Sequence, residues 1–311
     1  MAQVISFFIL LGFLVLGVLT HRFGFTPGTK LVDKLLMFSL GALLFGMGLR
    51  IGMEEGILEN LVSIGFTALA FALANVTGTV LVLWLLYFLL RKADTETAEE
   101  QAVEYVGMTD HLKEPFLFLC IIIAGILIGL FLNTRVDLNI SAITSVLLYF
   151  LLYVIGIQFS QNGINPKTVL AHPDTLLIPI GTIVGTLVGG ALLSLVHPLG
   201  LGKSLALSSG FGWYSLSGVL IADLGDPVTG SAAFLSNMMR ETIALLTIPL
   251  ISRTAYPYVS IGIGGATSMD VTLPIIERSC GPSSVPLSIA SGAILSVFVP
   301  VLVPLFYAIP W

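Results

Sequence analysis

Two acidic residues lie inside apolar segments, where ionisable groups are rare. Glu241 lies about ten residues into an apolar run that starts at Ser231, and Asp270 follows a stretch of small residues that begins at Gly264. A charge at the middle of a bilayer costs at least about 2.5 kcal/mol, so such a residue is by default a candidate functional site. A buried carboxylate can bind a cation or a proton, and exchange between the two couples their movements. The two acids therefore predict cation or proton chemistry inside a membrane.

Each acid also has a structural interpretation. Arg240 could neutralise Glu241 as an ion pair, although residues i and i+1 do not face each other on a helix. Asp270 could cap a half-helix, and Thr267 and Ser268 could do the same. We favour the functional interpretation of both acids because a carboxylate at that depth needs compensation.

Two glycine-rich stretches surround the acids. The first covers residues 209–241 and begins with SGFGWYSLSG; the second covers residues 262–270, GIGGATSMD. Glycines allow a helix to break, and broken backbone at membrane depth is tolerated only where protein or a water-filled cavity surrounds it. Two interrupted apolar segments in corresponding positions are typical of a transporter binding site.

Polar and small residues near these breaks are candidates for a substrate pocket. The aromatic faces of Trp213 and Tyr214 could hold an ammonium group, or the two residues could form part of an interfacial belt. Asn75, deep in an earlier apolar run, could instead hydrogen-bond a neighbouring helix. The candidate substrate-binding residues are Trp213, Tyr214, Ser215, Ser217, Gly265, Thr267, Ser268, Asn75 and Arg240.

The composition is that of an integral membrane protein. Of the 311 residues 56% are hydrophobic and only 10% are charged, whereas charged residues make up about 25% of a soluble domain. The mean hydropathy is +1.01. We expect an all-α polytopic protein in a lipid bilayer.

Several other classes of function are disfavoured by missing motifs. Cys120 and Cys280 form neither a disulfide framework nor a metal cluster, and no GxxxxGK[ST] motif indicates an ATPase. The four histidines fall at expected loop positions, which argues against an intramembrane serine protease because that enzyme needs a buried base. We expect no enzymatic activity, no metal, no cofactor and no nucleic acid partner.

An internal repeat predicts the architecture. Residues 43–49, LLFGMGL, align with residues 151–157, LLYVIGI, at an offset of 108, and the same offset places Gly17 on Gly125. Residues 1–90 therefore resemble residues 115–197, and each copy has three apolar runs. Because three is an odd number, the second copy must enter the membrane from the opposite side, which is an inverted-topology repeat.

The last third of the chain carries a weaker duplication. Residues 212–215 fall on residues 265–268, and Pro249 falls on Pro304 after a small shift. Inversion of this pair is simplest if each broken segment is re-entrant, giving about eight transmembrane helices and two re-entrant segments; ten spans are the alternative. The predicted units are residues 1–90, an acidic cytoplasmic loop at 91–114, 115–197, 203–252 and 258–311.

The distribution of Lys and Arg favours an external N-terminus and an external C-terminus, because cytoplasmic loops are enriched in both residues. Seven of these residues then lie inside and three outside. The inside set is Arg22, Lys30, Lys34, Arg91, Lys92, Lys113 and Lys167, and the outside set is Arg50, Arg135 and Lys203. Re-entrant hairpins place Arg253 and Arg278 inside as well, whereas fully spanning segments would place Arg253 outside.

Four motifs closely resemble the bacterial lysine exporter family LysO. They are residues 209–218 (SGFGWYSLSG), 230–234 (GSAAF), Arg240-Glu241 and 265–274 (GATSMDVTLP). The resemblance implies an inner-membrane exporter of L-lysine and its toxic analogues, driven by an ion gradient, with both termini outside. It also implies two essential intramembrane acids, which match Glu241 and Asp270, and an acid near Asn237, where this chain departs from the family pattern.

The predicted function is export of L-lysine or its analogues by proton antiport through Glu241 and Asp270. The alternative is a proton- or sodium-coupled carrier of another cationic or small organic solute. A channel is disfavoured because a pore gives no reason for paired broken segments at one depth. Whether the chain acts as a homodimer is left open by the sequence.

Overall fold

A computed structural model describes residues 2–24, 27–53, 57–90, 113–132, 140–161 and 174–309. These ranges contain twelve α-helices, and we number them in chain order. They are α1 Ala2–Arg22, α2 Thr29–Gly52, α3 Ile57–Leu89, α4 Lys113–Leu132, α5 Ile140–Gln161, α6 Asp174–Ser194, α7 Leu201–Ser208, α8 Tyr214–Asp223, α9 Pro227–Ile251, α10 Val259–Gly264, α11 Leu273–Cys280 and α12 Ser284–Tyr307. The predicted acidic loop lies outside the described residues except at its end, where α4 begins.

Eight of the described helices have twenty or more residues, enough to cross a hydrocarbon core about 30 Å thick. Six of them satisfy both the length and the hydropathy expected of a membrane span, namely α2, α3, α5, α6, α9 and α12. The other two, α1 and α4, carry shorter apolar stretches at Phe8–Arg22 and Phe116–Leu132. The protein is therefore an all-α polytopic membrane protein, as predicted.

The first two helices of each repeat form one group, which we call the panel (α1, α2, α4 and α5). Within it α1 runs beside α5, and α2 runs beside α4. A side chain at Gly17 would overlap the carbonyl of Tyr153, and one at Gly156 would overlap the carbonyl of Leu14. Glycines permit this close approach. In a membrane the hydrophobic effect does not drive helices together, so they associate through van der Waals contacts that small residues make possible.

The second crossing in the panel is the repeat equivalent of the first. Gly48 on α2 lies against Gly125 on α4, and each would overlap the other helix's backbone if it carried a side chain. The offset of 108 converts Gly17 into Gly125 and Gly48 into Gly156. The offset therefore converts one contacting pair, Gly17 and Gly156, into the other, Gly48 and Gly125, as expected when a two-fold axis relates the two copies of an inverted repeat.

The third helices of the repeats leave the panel and pack against each other. Gly78 on α3 meets Gly185 on α6, and Gly189 on α6 meets Ala74 on α3, so these helices run antiparallel. Together with α7 to α12 they form a second group, the core. The division into panel and core thus cuts across the order of the chain.

Each broken segment is a re-entrant hairpin. Lys203, at the start of α7, forms a 2.5 Å ion pair with Asp226, which caps the start of α9. A fully spanning segment would separate these two residues by about 30 Å. In the second segment, the Cys280 thiol at the end of α11 lies 3.4 Å from the Pro257 carbonyl just before α10. Both segments therefore turn back inside the protein, which settles the predicted choice against ten spans.

The two hairpins enter from opposite ends of the bundle. The Tyr307 hydroxyl, at the end of α12, lies 3.5 Å from the Asp226 carboxylate at the first hairpin. The Tyr258 and Ser283 hydroxyls, at the starts of α10 and α12, lie 3.3 Å apart at the second hairpin. Since α12 runs from one hairpin base to the other, the bases lie at opposite ends.

Candidate functional site

The two helix breaks meet inside the core. The backbone amide of Ala266, in the second break, donates to the carbonyl of Phe211 in the first break over 2.8 Å. Gly212 has φ +101° and Gly265 has φ +64°, a region that residues with a Cβ rarely adopt. The glycine-rich motifs are therefore required by the turns and by the close approach between them.

Asn237 on α9 stabilises the first break. Its Oδ1 accepts a 2.8 Å hydrogen bond from the Gly212 amide, and its Nδ2 donates to the Ser217 hydroxyl over 3.1 Å. Asn237 is 2% exposed, and a buried backbone amide without a partner would be costly. The Asn237 side chain thus holds the first break in place through its amide group.

Arg240 stabilises the second break. Its guanidinium donates to the carbonyls of Ile263 (3.2 Å) and Gly262 (3.0 Å) at the end of the half-helix α10. It also donates to the Thr186 hydroxyl on α6 (3.0 Å) and the Thr79 hydroxyl on α3 (3.4 Å). A cation at a helix C-terminus compensates the helix dipole, so Arg240 joins α3, α6 and α9 to the half-helix.

A cavity of about 340 Å³ lies between the panel and the core, within the usual size range of a small-molecule site. Panel residues line one wall: Asp33, Leu36, Met37, Leu40, Phe118, Gln158 and Phe159. Core residues line the other: Gly212, Trp213, Tyr214, Ser215, Glu241, Ala266, Thr267, Met269, Asp270, Val271, Ala293 and Ser296. The breaks therefore form the core wall of the cavity.

The two predicted acids lie on this same cavity. Glu241 is the fifteenth residue of the 25-residue α9, near the middle of that helix, and is 2% exposed. Asp270 is exposed and follows the 3₁₀ turn Gly265–Met269. Its Oδ1 accepts a hydrogen bond of 2.6 Å from the amide of Val271. One acid is therefore deep and the other solvent-accessible.

Six of the predicted site residues line the cavity, namely Glu241, Asp270, Trp213, Tyr214, Ser215 and Thr267. The other predicted residues are not part of the cavity lining. Ser217 on α8 accepts a hydrogen bond from Asn237, and Gly265 lies at the second break. Ser268 donates to the Gly265 carbonyl (2.7 Å) and the Ser288 carbonyl (3.0 Å). Asn75 is buried on α3, and its backbone carbonyl accepts from the Thr79 hydroxyl over 2.7 Å.

The cavity also contains residues that the sequence did not single out. Asp33 on α2 is a third acid on its wall, and Gln158 on α5 adds a polar side chain. The sequence feature that could have indicated Asp33 is the presence of a carboxylate near the start of the apolar run at residues 31–49. His21, expected in a loop, lies instead in the last turn of α1, with its Nδ1 2.8 Å from the Ser160 hydroxyl.

The cavity opens at the end of the bundle where α2 begins and α5 ends. Asp33, Leu36 and Met37 lie among the first nine residues of α2, and Gln158 and Phe159 lie in the last turn of α5. The Gln161 amide donates to the Pro27 carbonyl at this end over 3.0 Å. The first hairpin base, with Lys203 and Asp226, lies at the opposite end.

A family model and two known proteins that match this sequence all belong to the lysine exporters. The family model of "Lysine exporter LysO" matches residues 11–103 and 119–307. The "Lysine exporter LysO" of Escherichia coli is 32% identical over 286 residues, which cover 90% of this chain and 91% of that protein. A "Putative lysine exporter" of Haemophilus influenzae is 37% identical over 160 residues, covering 51% of this chain and 82% of that protein. No solved structure matches. With matches over both repeats and both hairpins, the chain belongs to the lysine exporter LysO family.

Proposed function

We propose that the protein exports L-lysine and lysine analogues across the inner membrane by proton antiport. The observation that carries the proposal is that Glu241 and Asp270 line one cavity beside the crossing of the two helix breaks. Family membership supports lysine as the substrate. The inverted repeat supports a carrier that alternates between two openings.

Charge complementarity supports a diammonium amino acid as the substrate. Lysine carries two ammonium groups and one carboxylate, and the cavity wall carries the acids Asp33, Glu241 and Asp270. The aromatic side chain of Trp213 adds a face suited to an ammonium group. The backbone amides of the broken segments supply donors of the kind that receive a substrate carboxylate in transporters of this architecture.

The two acids are assigned different roles because of their different depth. Glu241, buried in the middle of α9, is the proton carrier, since a buried carboxylate without its cation tends to bind a proton. Asp270, exposed at the second break, binds a substrate ammonium group. Competition between the proton and lysine for the cavity then couples their movements in opposite directions.

Purified protein in proteoliposomes tests this function. We expect lysine loaded into the vesicles to leave against its gradient when a pH gradient is imposed, and each lysine flux to be accompanied by proton movement. A sodium gradient that drives the flux at uniform pH would favour the sodium-coupled alternative. Flux that follows only the lysine gradient, whatever the pH gradient, would exclude a coupled carrier.

The proposed orientation places both termini outside and the open end of the cavity inside. Single cysteines at Phe23 and Val196, which are 84% and 82% exposed at opposite ends of the bundle, test it in a background with Cys120 and Cys280 replaced by serine. An impermeant thiol reagent applied to intact cells should label position 196 and not position 23. The reverse pattern would invert the assignment.

A further inference from the structure

At the end of the molecule opposite the cavity opening, one carboxylate lies between the core and the panel. Asp223 ends α8 in the core and lies against α5 in the panel. It accepts a 2.9 Å hydrogen bond from the Ser145 hydroxyl and a 3.5 Å one from the Thr144 hydroxyl, and Arg50 attracts it electrostatically. These contacts join the core to the panel at this end, which we call the closed end.

The inverted repeat relates this contact to the open cavity. At the offset of 108, Thr144 and Ser145 on α5 correspond to Leu36 and Met37 on α2, and both α2 residues line the cavity. Arg50 corresponds in the same way to Gln158, which also lines the cavity. The same three repeat positions therefore line the cavity at one end and surround Asp223 at the other.

We propose that Asp223 is the residue that holds the export path shut at the closed end, and that its bonds to Thr144 and Ser145 break when the cavity opens there. The inference rests on the proposed carrier function, since a carrier must close one end while the other is open. Asp223 is a positioning residue because it acts on the relation between core and panel rather than on the substrate.

The strength of the contact makes it suitable for this purpose. A hydrogen bond to a charged group contributes about 1.5–3 kcal/mol, which corresponds to roughly a tenfold to hundredfold change in the ratio of two conformations. The contact is thus strong enough to bias the protein and weak enough to break during transport. Asp226, three residues away, is a matched control. It forms an ion pair with Lys203, and because both residues belong to the core, that ion pair does not connect the core to the panel.

A cysteine in the cavity reports the state of the closed end. Ala293→Cys changes a small residue on the cavity wall in a background with Cys120 and Cys280 replaced by serine. An impermeant thiol reagent is applied separately to right-side-out and inside-out vesicles. In the otherwise unchanged protein, labelling should be fast from the side on which the cavity opens and slow from the other.

Adding Asp223→Ala should raise the labelling rate from the closed side by about tenfold, and Asp226→Ala should not. Ser145→Ala, which removes the shorter hydrogen bond and keeps the carboxylate, should give a smaller increase and serves if Asp223→Ala does not fold. The proposal would be overturned if Asp223→Ala and Asp226→Ala gave equal labelling rates from the closed side. If Asp223→Ala is not obtained, an unchanged labelling rate in Ser145→Ala would overturn it. Because labelling needs no lysine, this result is distinct from a failure of lysine–proton exchange in proteoliposomes.

Discussion

The hydroxyl groups of Thr79 and Thr186 lie 2.9 Å apart, although 107 residues separate them in the chain. Thr79 is on α3 and Thr186 is on α6, the third helices of the two repeats, and both residues are fully buried. This separation is one less than the repeat offset of 108, so the contact joins near-equivalent positions of the two repeats. Because Arg240 donates to both hydroxyls, it joins α3, α6 and the second break to α9.

The first prediction concerns this junction. Arg240→Met should destabilise the protein by about 1–3 kcal/mol, because it leaves the buried carbonyls at the end of α10 without a donor. Thermal unfolding of the purified protein in detergent measures the loss. Arg253→Met, at an exposed position after the same helix, is the control. Equal unfolding temperatures for the two variants would contradict the assigned role.

The second prediction concerns the glycine crossings of the panel. Gly48→Ala should lower the unfolding temperature, because its methyl group would overlap the Ile122 carbonyl on α4; overpacking of this kind costs about 1–3 kcal/mol. Gly12→Ala is the control, since a Cβ at Gly12 meets no atom within 4 Å. The control should be neutral or stabilising. A Gly48→Ala protein as stable as the control would mean that α2 and α4 do not cross at these glycines.

The third prediction separates the roles of the two acids. Glu241→Gln should abolish export driven by a pH gradient and leave lysine binding measurable, because the amide cannot exchange a proton. Asp270→Asn should remove binding itself. Calorimetric titration of lysine into each purified variant decides between the roles. Glu277→Gln, an exposed acid on α11, should leave both properties unchanged.

The opposite pattern would reverse this assignment. Binding that survives Asp270→Asn and disappears in Glu241→Gln would make Glu241 the substrate ligand. Full gradient-driven export by either variant would remove that residue from the mechanism.

The fourth prediction concerns the first hairpin. A short bifunctional thiol reagent should join cysteines at Lys203 and Asp226, because the two native side chains are in contact at the start of α7 and of α9. The measurement is a mobility shift after protease cleavage between the two positions. Cysteines at Lys203 and Ile251 should not cross-link, because Lys203 lies at the hairpin base where α9 begins and Ile251 lies at the far end of α9. Cross-linking of the second pair alone would mean a fully spanning segment.

The fifth prediction concerns pH. Burial by itself would raise the pKa of Asp226, but hydrogen bonds from Lys203 and Thr229 outweigh it and lower the pKa below its ordinary value of 3.8. A lowered pKa in the folded state means that the ionised group contributes stability above pH 3.8, and that this contribution is lost as the pH falls through the lowered value.

Unfolding of the unchanged protein and of Asp226→Asn should therefore differ near neutral pH and converge in acid. The measurement is the unfolding temperature of both proteins across a pH series. A difference that stays constant down to pH values of about 3 would mean that the carboxylate does not carry the stabilising contact.

Several features of the protein follow from the sequence alone. The apolar runs, the offset of 108 and the positions of the breaks can be read locally, because membrane spans need about twenty apolar residues and breaks need glycine. Gly212 and Gly265, singled out by the weak duplication, both have positive φ, one at each break. The odd number of runs in each repeat was enough to predict inversion, since it follows from counting rather than from contacts.

Other features were decided only by the tertiary structure. Asp33 joins the cavity because the panel lies opposite the breaks, and no local pattern distinguishes it from an acid at a helix end. Arg240, adjacent to Glu241 in sequence, donates to groups on α3, α6 and α10, because successive side chains on a helix point in different directions. The choice between a re-entrant and a spanning segment likewise depends on where a chain returns in space, which Lys203 and Asp226 show by their contact. Local chemistry therefore determined the elements, and the long-range packing of panel against core determined which of their side chains share a site.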